Sequence, residues 1–386
     1  MRAHRTAARL LAVALAALPV IAGIGPDPAT AQQPTRSAGE QPDPTMADQG
    51  RRSWVEGLGS HKADALRHRA RSNGARQQVA TGNVLLRNGR FTQLPDAPGA
   101  QLTVHRGLND RGQTAGIYID DGVEPGPDGS FPPGSGHGFI YTRSHEPKGR
   151  FTVIEIPDAQ IALPYDINNR GQIVGIYLDE GAVPGPDGLP PPGAQHAFLW
   201  DRGKVTILDP PDSVYAPNAY TINDRGQIVG VRIDETGNQI GFLRQPGGRY
   251  VTLDPPGAAQ NKALGINDRG QVVGVYLDDG AVPGPDGRYP ARSLHGYLWD
   301  RGHYERLDVP DARATAAADI NNRGDIVGEV NDAHGRIRGF ARLRGSYTFV
   351  DGPGKGNTAF PIHVNDPGAM LIPAPGAIEG LVDLVE

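Results

Sequence analysis

From about residue 80 onward, short apolar runs alternate with polar turn sequences, which is typical of antiparallel β-strands joined by hairpins. One repeat predicts four such strands, at residues 219–222, 227–233, 240–244 and 250–253. Between the first two strands, Gly226 supplies the positive φ of a type I turn with a bulge, and Asn223 can bond its own backbone. Each repeat therefore predicts one small antiparallel sheet.

The turn phrase of that repeat recurs along the chain. Full copies lie at Leu108 to Gln113, Ile167 to Gln172, Ile222 to Gln227, Ile266 to Gln271 and Ile320 to Asp325, and a degenerate copy lies at Val364 to Gly368. The repeated asparagines are 59, 55, 44, 54 and 44 residues apart. Self-similarity at this period indicates a repeat architecture, and units of about 40–45 residues are typical of propeller blades. A β-solenoid, which usually has a shorter repeat, is the alternative.

Counting hairpins predicts the number of blades. The turn phrase joins the first and second strands of a repeat and supplies six hairpins. Hairpins between third and fourth strands also occur six times, the first at residues 84–94. Because the chain begins with one type and ends with the other, the N- and C-terminal half-blades can pair and close the ring. We therefore predict an all-β propeller of six four-stranded blades, or of seven if residues 378–385 add a strand.

The segment before the repeats has a different character. Arg2, Arg5 and Arg9 precede an apolar run from Leu10 to Ile24 and a small-residue cleavage site, which predicts a signal peptide over residues 1–31 that is cleaved after Ala31. Residues 32–78 form a Pro/Gln-rich linker by composition, with a possible short helix around residues 63–69. Residues 79–386 are the repeat domain. We expect a secreted, extracellular protein.

Amino-acid composition excludes several kinds of site and partner. The chain has no cysteine, which excludes disulfides, thiolate nucleophiles and cysteine-ligated zinc. Its formal net charge of −5 argues against nucleic acid or an anionic membrane as the main partner. No segment after the signal peptide predicts membrane insertion. We expect a monomer.

The unit from Asp254 to Trp299 resembles the HAF-repeat family of probable extracellular bacterial proteins. It joins a Pro-Pro-Gly turn, the repeated Asn-Asp-Arg-Gly phrase and a His-Gly-Tyr-Leu-Trp strand. The resemblance covers roughly residues 80–370 and implies export and a propeller-like repeat fold. The family has no agreed biochemical activity, so the resemblance implies no catalytic residue.

Three repeats carry an acidic, Pro-Gly-rich insertion, at residues 118–129, 177–188 and 276–287. Because hairpin loops alternate between the two ends of a meander, all three insertions must project from one end of the ring, which we call the loop face. Functional residues often lie on loops held by a rigid scaffold, so this face is the candidate binding surface. Its candidate residues are Tyr118, Tyr177, Tyr276, His137, His196 and His295.

The insertions also raise a metal hypothesis, because paired carboxylates in Gly-rich loops can bind Ca²⁺. The candidate ligands are Asp120, Asp121, Asp128, Asp179, Glu180, Asp187, Asp278, Asp279 and Asp286. Alternatively, the three histidines converge on a transition metal. The competing interpretation is that Asp-Gly pairs are ordinary turn sequences and that the tyrosines pack between blades.

Two classes of function remain. The first is a non-catalytic module that binds an extracellular protein or glycan through the loop face. The second is a propeller enzyme, a hydrolase or lyase, that uses Asp and His side chains at the central channel. Polar residues that recur from repeat to repeat favour binding, because an enzyme site normally breaks repeat symmetry. The five arginines of the turn phrase could also form a basic ring on the opposite face.

Overall fold

The structure, a computed structural model, describes residues 83–124, 132–143, 149–182, 191, 193–213, 215–284, 288–352 and 359–373. The predicted signal peptide (1–31), the linker with its short helix (32–78) and the extra strand considered at 378–385 lie outside these residues. Nothing in the structure therefore bears on those three predictions.

The described residues form strands joined by turns. The first twelve strands are β1 (Val84–Arg87), β2 (Arg90–Gln93), β3 (Ala100–Leu108), β4 (Thr114–Asp120), β5 (Gly136–Thr142), β6 (Arg150–Ile154), β7 (Ala159–Ile167), β8 (Ile173–Asp179), β9 (Gln195–Asp201), β10 (Lys204–Ile207), β11 (Tyr215–Ile222) and β12 (Ile228–Ile233). The others are β13 (Gln239–Arg244), β14 (Tyr250–Leu253), β15 (Ala258–Ile266), β16 (Val272–Asp278), β17 (Leu294–Asp300), β18 (His303–Leu307), β19 (Ala314–Ile320), β20 (Ile326–Asn331), β21 (Ile337–Leu343), β22 (Ser346–Val350), β23 (His363–Val364) and β24 (Met370–Ile372).

The architecture is an all-β propeller, as the repeats predict. Three sheets contain consecutive strands, β3 to β6, β7 to β10 and β11 to β14, each paired antiparallel in chain order. Strands β15 to β22 form one eight-stranded sheet, in which a single parallel bridge between Leu294 and Ala314 joins β17 to β19. The sheets surround one axis, and the strand that precedes each repeated Asn ends at an axial cavity.

The two ends of the repeat domain meet in one sheet, in the order β2-β1-β24-β23. Strand β1 pairs antiparallel with β24, so that Val84 lies opposite Ile372 and Leu86 opposite Met370. The N-terminal hairpin thus fills the two places that the C-terminal hairpin leaves empty. This is the terminal pairing predicted from the two hairpin types, and it closes the ring without a free edge between the termini.

The core lies between neighbouring sheets rather than at the axis. One buried cluster, for example, combines Val229, Leu243 and Leu253 of one sheet with Ala263, Ile266 and Val272 of the next. The glycine that follows each turn phrase belongs to this packing. A Cβ on Gly230 would lie 1.9 Å from the Asn218 carbonyl oxygen and 2.7 Å from the Phe242 ring. The repeated Gly therefore makes room for the aromatic ring of the third strand.

The chain order of the strands assigns the loops to two ends of the ring. The insertions join second to third strands, and the loops between sheets join a fourth strand to the next first strand. Both sets lie on the loop face. The repeated Asn phrases and the hairpins between third and fourth strands lie at the other end, which we call the turn face.

Ring closure is tested at Leu371, which is fully buried between the closing sheet and the sheet of β3 to β6. We expect Leu371→Ala to lower the free energy of unfolding by about 2–5 kcal/mol, because it removes a buried side chain and leaves a cavity. Urea unfolding checks this. The control Leu343→Ala, at a side chain that is 39% exposed, should change stability by about 0.5 kcal/mol or less. Equal effects of the two changes would contradict the role assigned to closure.

Candidate functional site

A closed cycle of asparagine hydrogen bonds surrounds the axis at the turn face. Each repeated Asn donates from its side-chain Nδ2 to the backbone carbonyl of the Asn in the next repeat, at 2.9–3.2 Å. The donors are Asn109, Asn168, Asn223, Asn267, Asn321 and Asn365, and Asn365 donates back to Asn109. All six are buried. One polar side chain per repeat therefore joins the sheets around the ring.

The same side chain also builds its own turn. The Oδ1 of Asn223 accepts hydrogen bonds from the backbone N–H groups of Arg225 and Gln227, and its Nδ2 also donates to the side chain of Gln227. Gly226 has a φ of +75°, as a residue in the left-handed region. The sequence predicts this turn, but it does not reveal the bond from one repeat to the next.

A second closed cycle lies one residue further on. In each repeat the backbone N–H of this residue donates to the side-chain Oδ1 of its counterpart in the next repeat, at 2.7–2.9 Å. The participants are Asp110, Asn169, Asp224, Asp268, Asn322 and Asp366. Asn169 also bridges Asp110 and Asp224 at 2.7 and 2.8 Å. Carboxylates and amides thus form the rim of the axial cavity, which we call the acidic rim.

Behind the acidic rim lies a cavity of about 80 Å³. The residues two positions before the repeated asparagines differ from repeat to repeat: Gly107, Asp166, Thr221, Gly265, Asp319 and His363. The four that have a side chain line the cavity. The two glycines permit a close approach of neighbouring strands. A Cβ on Gly107 would lie 2.5 Å from the Cα of Asp166, and one on Gly265 would lie 2.6 Å from the Cα of Asp319.

His363 connects two buried carboxylates of this cavity. Its Nδ1 lies 3.2 Å from Asp319 Oδ2 and 3.9 Å from Asp166 Oδ1. Each carboxylate also accepts a backbone hydrogen bond, Asp166 from Ile222 and Asp319 from Val364. Burial alone would lower the pKa of His363, but the two carboxylates outweigh it and the pKa is raised. The two carboxylates therefore favour the protonated imidazole at this position.

Sequence reasoning missed this cluster because it looked for residues that recur. The signal was present in the opposite form. At the position two residues before the repeated Asn, the residue type varies between repeats: it is a glycine, a threonine, an aspartate or a histidine, as at Asp166, Asp319 and His363. Alignment of the repeats on their asparagines would have exposed it.

On the loop face, each predicted His pairs with a carboxylate and contacts a Tyr ring. The Nε2 atoms of His137, His196 and His295 lie 3.0, 3.3 and 3.1 Å from Asp120, Asp179 and Asp278. Their rings lie 4.9–5.2 Å from those of Tyr118, Tyr177 and Tyr276. The structure therefore brings the predicted Tyr, His and first Asp of each insertion into one cluster, three times.

The exposed part of these clusters is the carboxylate. Tyr177 and Tyr276 are 7% exposed and His295 is 1% exposed. By contrast, the side chains of Asp120, Asp179 and Asp278 are 44%, 46% and 41% exposed. Tyr177 and Tyr276 thus serve mainly as packing beneath their histidines, whereas Tyr118 is partly exposed, and the carboxylates are the most exposed polar groups of the clusters.

A second carboxylate reinforces two of the clusters. His196 Nδ1 lies 2.8 Å from Asp209, and His295 Nδ1 lies 3.1 Å from Asp308. Burial alone would lower the pKa of His196, but Asp209 and Asp179 raise it overall. The repeat formed by β19 to β22 has no long insertion. There, Arg338 occupies the place of the histidine and pairs with Asp351 at 3.4 Å. In that repeat the position therefore holds a cation beside a carboxylate.

The metal hypotheses find no further support among the described residues, where no group of three His, Asp or Glu side chains has the arrangement of a metal site. The three histidines bond within their own sheets and do not converge. Asp121, Glu180 and Asp279 are exposed. Asp128, Asp187 and Asp286 lie outside the described residues, so the calcium interpretation stays a prediction.

The two faces differ in charge. The loop face presents the exposed acidic residues Asp121, Glu180 and Asp279 beside the partly exposed carboxylates of the clusters. The turn face presents the five exposed arginines of the turn phrase: Arg111, Arg170, Arg225, Arg269 and Arg323. These surround the acidic rim, in line with the predicted basic ring, and Pro367 takes the sixth place.

No protein-family model and no curated protein matches this chain. Among solved structures, a protein of Agrobacterium tumefaciens described as a TolB aligns with 76% of this chain and 98% of its own, at a TM-score of 0.50 and 10% identity. TolB of Acinetobacter baumannii aligns over 68% and 64%, at 0.41 and 12%. A protein described as a gluconolactonase aligns over 73% and 94%, at 0.37 and 12%. Identities this low indicate a shared fold and give no information about function.

In the described part of the chain, no helix is long and apolar enough to cross a membrane.

The cavity cluster predicts a pH dependence of stability. The folded-state pKa of His363 lies above its unfolded value of about 6.5. The ionised imidazole therefore stabilises the fold fully below that pH, and the contribution is lost as the pH rises through the folded-state pKa. The difference in unfolding free energy between wild type and His363→Gln should fall from pH 6 to pH 9, as measured by urea unfolding.

The control for this prediction is His303→Gln, at an exposed residue in the hairpin between β17 and β18. Its difference from wild type should stay flat over the same range. A His363→Gln difference that stays constant or grows with pH would contradict the cationic imidazole.

Proposed function

We propose that this chain is a secreted, non-catalytic binding protein whose loop face binds an extracellular protein with a basic surface. The observation that carries the proposal is the threefold occurrence of a carboxylate fixed by a histidine at the same place on one face. A fixed carboxylate loses little conformational entropy on binding, which favours association. The export part of the proposal rests on the signal peptide predicted for residues 1–31 and on the resemblance to HAF-repeat proteins.

The choice of a protein over a glycan follows from exposure. Sugar recognition commonly uses an exposed aromatic face, but Tyr177 and Tyr276 are buried beneath their histidines. The acidic carboxylates remain, and these are complementary to lysine and arginine side chains. A glycan ligand is the alternative that the experiment below separates.

We infer further that the ring has six blades. The eight-stranded sheet divides naturally into β15 to β18 and β19 to β22, because one bridge alone joins them. The asparagine cycle supports this count, since six donors close on themselves. Three blades carry a histidine cluster, and a monomer would present all three on one surface.

The proposal is tested with a decalysine peptide and two matched double variants. Asp179→Asn with Asp278→Asn removes two loop-face carboxylates, and Asp201→Asn with Asp300→Asn removes two in the same sheets at the turn face. At low salt, the loop-face variant should bind about tenfold more weakly, or ~1.4 kcal/mol. The turn-face variant should change affinity less than twofold. Fluorescence anisotropy measures both.

Equal losses in the two double variants would contradict recognition by the loop face. Insensitivity of decalysine binding to 0.5 M salt would contradict recognition by charge, because contacts between exposed charges are screened at high ionic strength. Binding to neutral oligosaccharides on an array, with no binding of decalysine, would replace the protein partner with a glycan.

The second candidate function is an enzyme at the axial cavity, and the Asp166, His363 and Asp319 cluster favours it. These residues break the repeat symmetry, as a catalytic site normally does, and a protonated imidazole beside carboxylates is suited to acid–base chemistry. The cavity of about 80 Å³ behind a narrow rim admits only a small group of a substrate. This is why we place binding first.

The enzyme hypothesis predicts hydrolysis or elimination with ester, lactone or uronate substrates by the wild-type protein. His363→Gln and Asp319→Asn should each lower kcat at least a hundredfold, while circular dichroism shows an intact fold. The control His303→Gln should retain full activity. Absence of turnover by the wild type, or retention of it by both cavity variants, would contradict the hypothesis.

A further inference from the structure

A buried arginine lies deeper in the channel than the cavity cluster. Arg106 is 7% exposed, and its guanidinium carbon lies 4.3 Å from the ring centroid of Tyr165. The Tyr165 ring in turn stacks on that of Tyr220, with centroids 5.8 Å apart. The three residues come from β3, β7 and β11, the first strands of three successive sheets. They form one layer, which we call the Arg-Tyr layer.

A β-bulge directs this layer toward the axis. The pairing of β3 with β4 shifts between His105 and Gly107, which leaves Arg106 as the extra, unpaired residue. The same shift occurs beside Tyr165 and Tyr220. A bulge re-aims the side chain of its extra residue, and here the neighbouring residues already line the axial cavity.

The side chains of this layer do not fill the space at the axis completely. The residues three positions before the repeated asparagines in the remaining repeats are Leu264, Ala318 and Ile362. These three and Tyr220 are partly exposed, although they belong to the innermost strands. The Arg-Tyr layer therefore retains space for a small group at the axis, and the small side chain of Ala318 helps to leave that space.

One nitrogen of the Arg106 guanidinium lacks a hydrogen-bond partner. Its Nη1 atom is buried without a hydrogen-bond acceptor in the described part of the chain. The nearby carboxylates are already used, since Asp166 and Asp319 accept hydrogen bonds from backbone N–H groups and face His363. A buried N–H donor without an acceptor is destabilising, so an acceptor from outside the chain would satisfy Nη1.

The tyrosines complete a set of donors. Burial raises the pKa of Tyr165 to about 12, against the opposing effect of Arg106, and burial likewise raises the pKa of Tyr220. Both phenols therefore stay protonated at neutral pH and can donate hydrogen bonds. The surrounding wall is apolar, with Val104, Ile117 and Leu163 in the same cluster as Tyr165. Such a wall strengthens charged hydrogen bonds by excluding water.

We propose that the Arg-Tyr layer binds a small planar oxyanion, such as the carboxylate group of an organic acid. A guanidinium presents parallel N–H donors whose spacing matches the two oxygens of a carboxylate. Nitrate shares this planar chemistry, whereas sulfate is tetrahedral. The site is separate from the loop face and does not depend on the function proposed for that face.

The experiment uses the full chain and follows thermal unfolding and calorimetry with acetate, nitrate and sulfate at constant ionic strength. Wild type should show saturable stabilisation by acetate, because a ligand that binds only the native state raises its stability. Arg106→Gln should abolish it, and the control Arg111→Gln, at an exposed turn-face residue, should retain it. Binding of acetate alone identifies a carboxylate ligand, and equal binding of nitrate identifies a site for planar oxyanions in general.

A second variant protects the test against misfolding of Arg106→Gln. Tyr165→Phe with Tyr220→Phe keeps both rings and removes both hydroxyls, and it should weaken acetate binding at least fivefold. The control Tyr347→Phe, on the outer strand β22, should leave binding unchanged. Absence of saturable acetate binding by wild type, equal binding of sulfate, or unchanged affinity in the double tyrosine variant would overturn the proposal.

Discussion

The side chain of the repeated asparagine is the constraint on which the rest of the ring depends. Its oxygen accepts two backbone hydrogen bonds within its own turn, and its nitrogen reaches the backbone of the next repeat, as at Asn223 and Asn267. Only a carboxamide of this length offers both functions. An aspartate could hold the turn but has no N–H to donate, and it would place a buried charge against a carbonyl oxygen. The position therefore admits asparagine alone in all six repeats.

The position after the repeated asparagine accepts more than one residue type. It must offer an oxygen to the backbone N–H of the previous repeat, and aspartate and asparagine both do so. Four carboxylates without relief would repel one another around a narrow opening. Asn169 and Asn322 each stand between two of them and donate to both. The variation between Asp and Asn in the repeated phrase thus records the charge balance of the acidic rim.

Periodicity predicted what depends on each repeat by itself: the strands, the turn with its positive-φ glycine, the placement of the insertions on one face and the pairing of the terminal hairpins. It also predicted the histidine, tyrosine and carboxylate as candidates, although not that His295 and two tyrosines are buried. It did not predict the axial groups. Asp166, Asp319 and His363 come from distant repeats and from the position where the repeats disagree. Arg106 is placed by a bulge, which the apolar pattern does not encode.

The closing sheet also sets the order in which the molecule can be completed. Strand β1 emerges first during synthesis, but its partner β24 is nearly the last strand of the domain, about 290 residues later. Until then the first hairpin has an unsatisfied edge, and the buried face that meets Leu371 is open to water. Contacts so distant in sequence form slowly, because a long loop must close before they stabilise anything. The ring can therefore close only after its C-terminal hairpin has been synthesised, whatever the order in which the earlier sheets form.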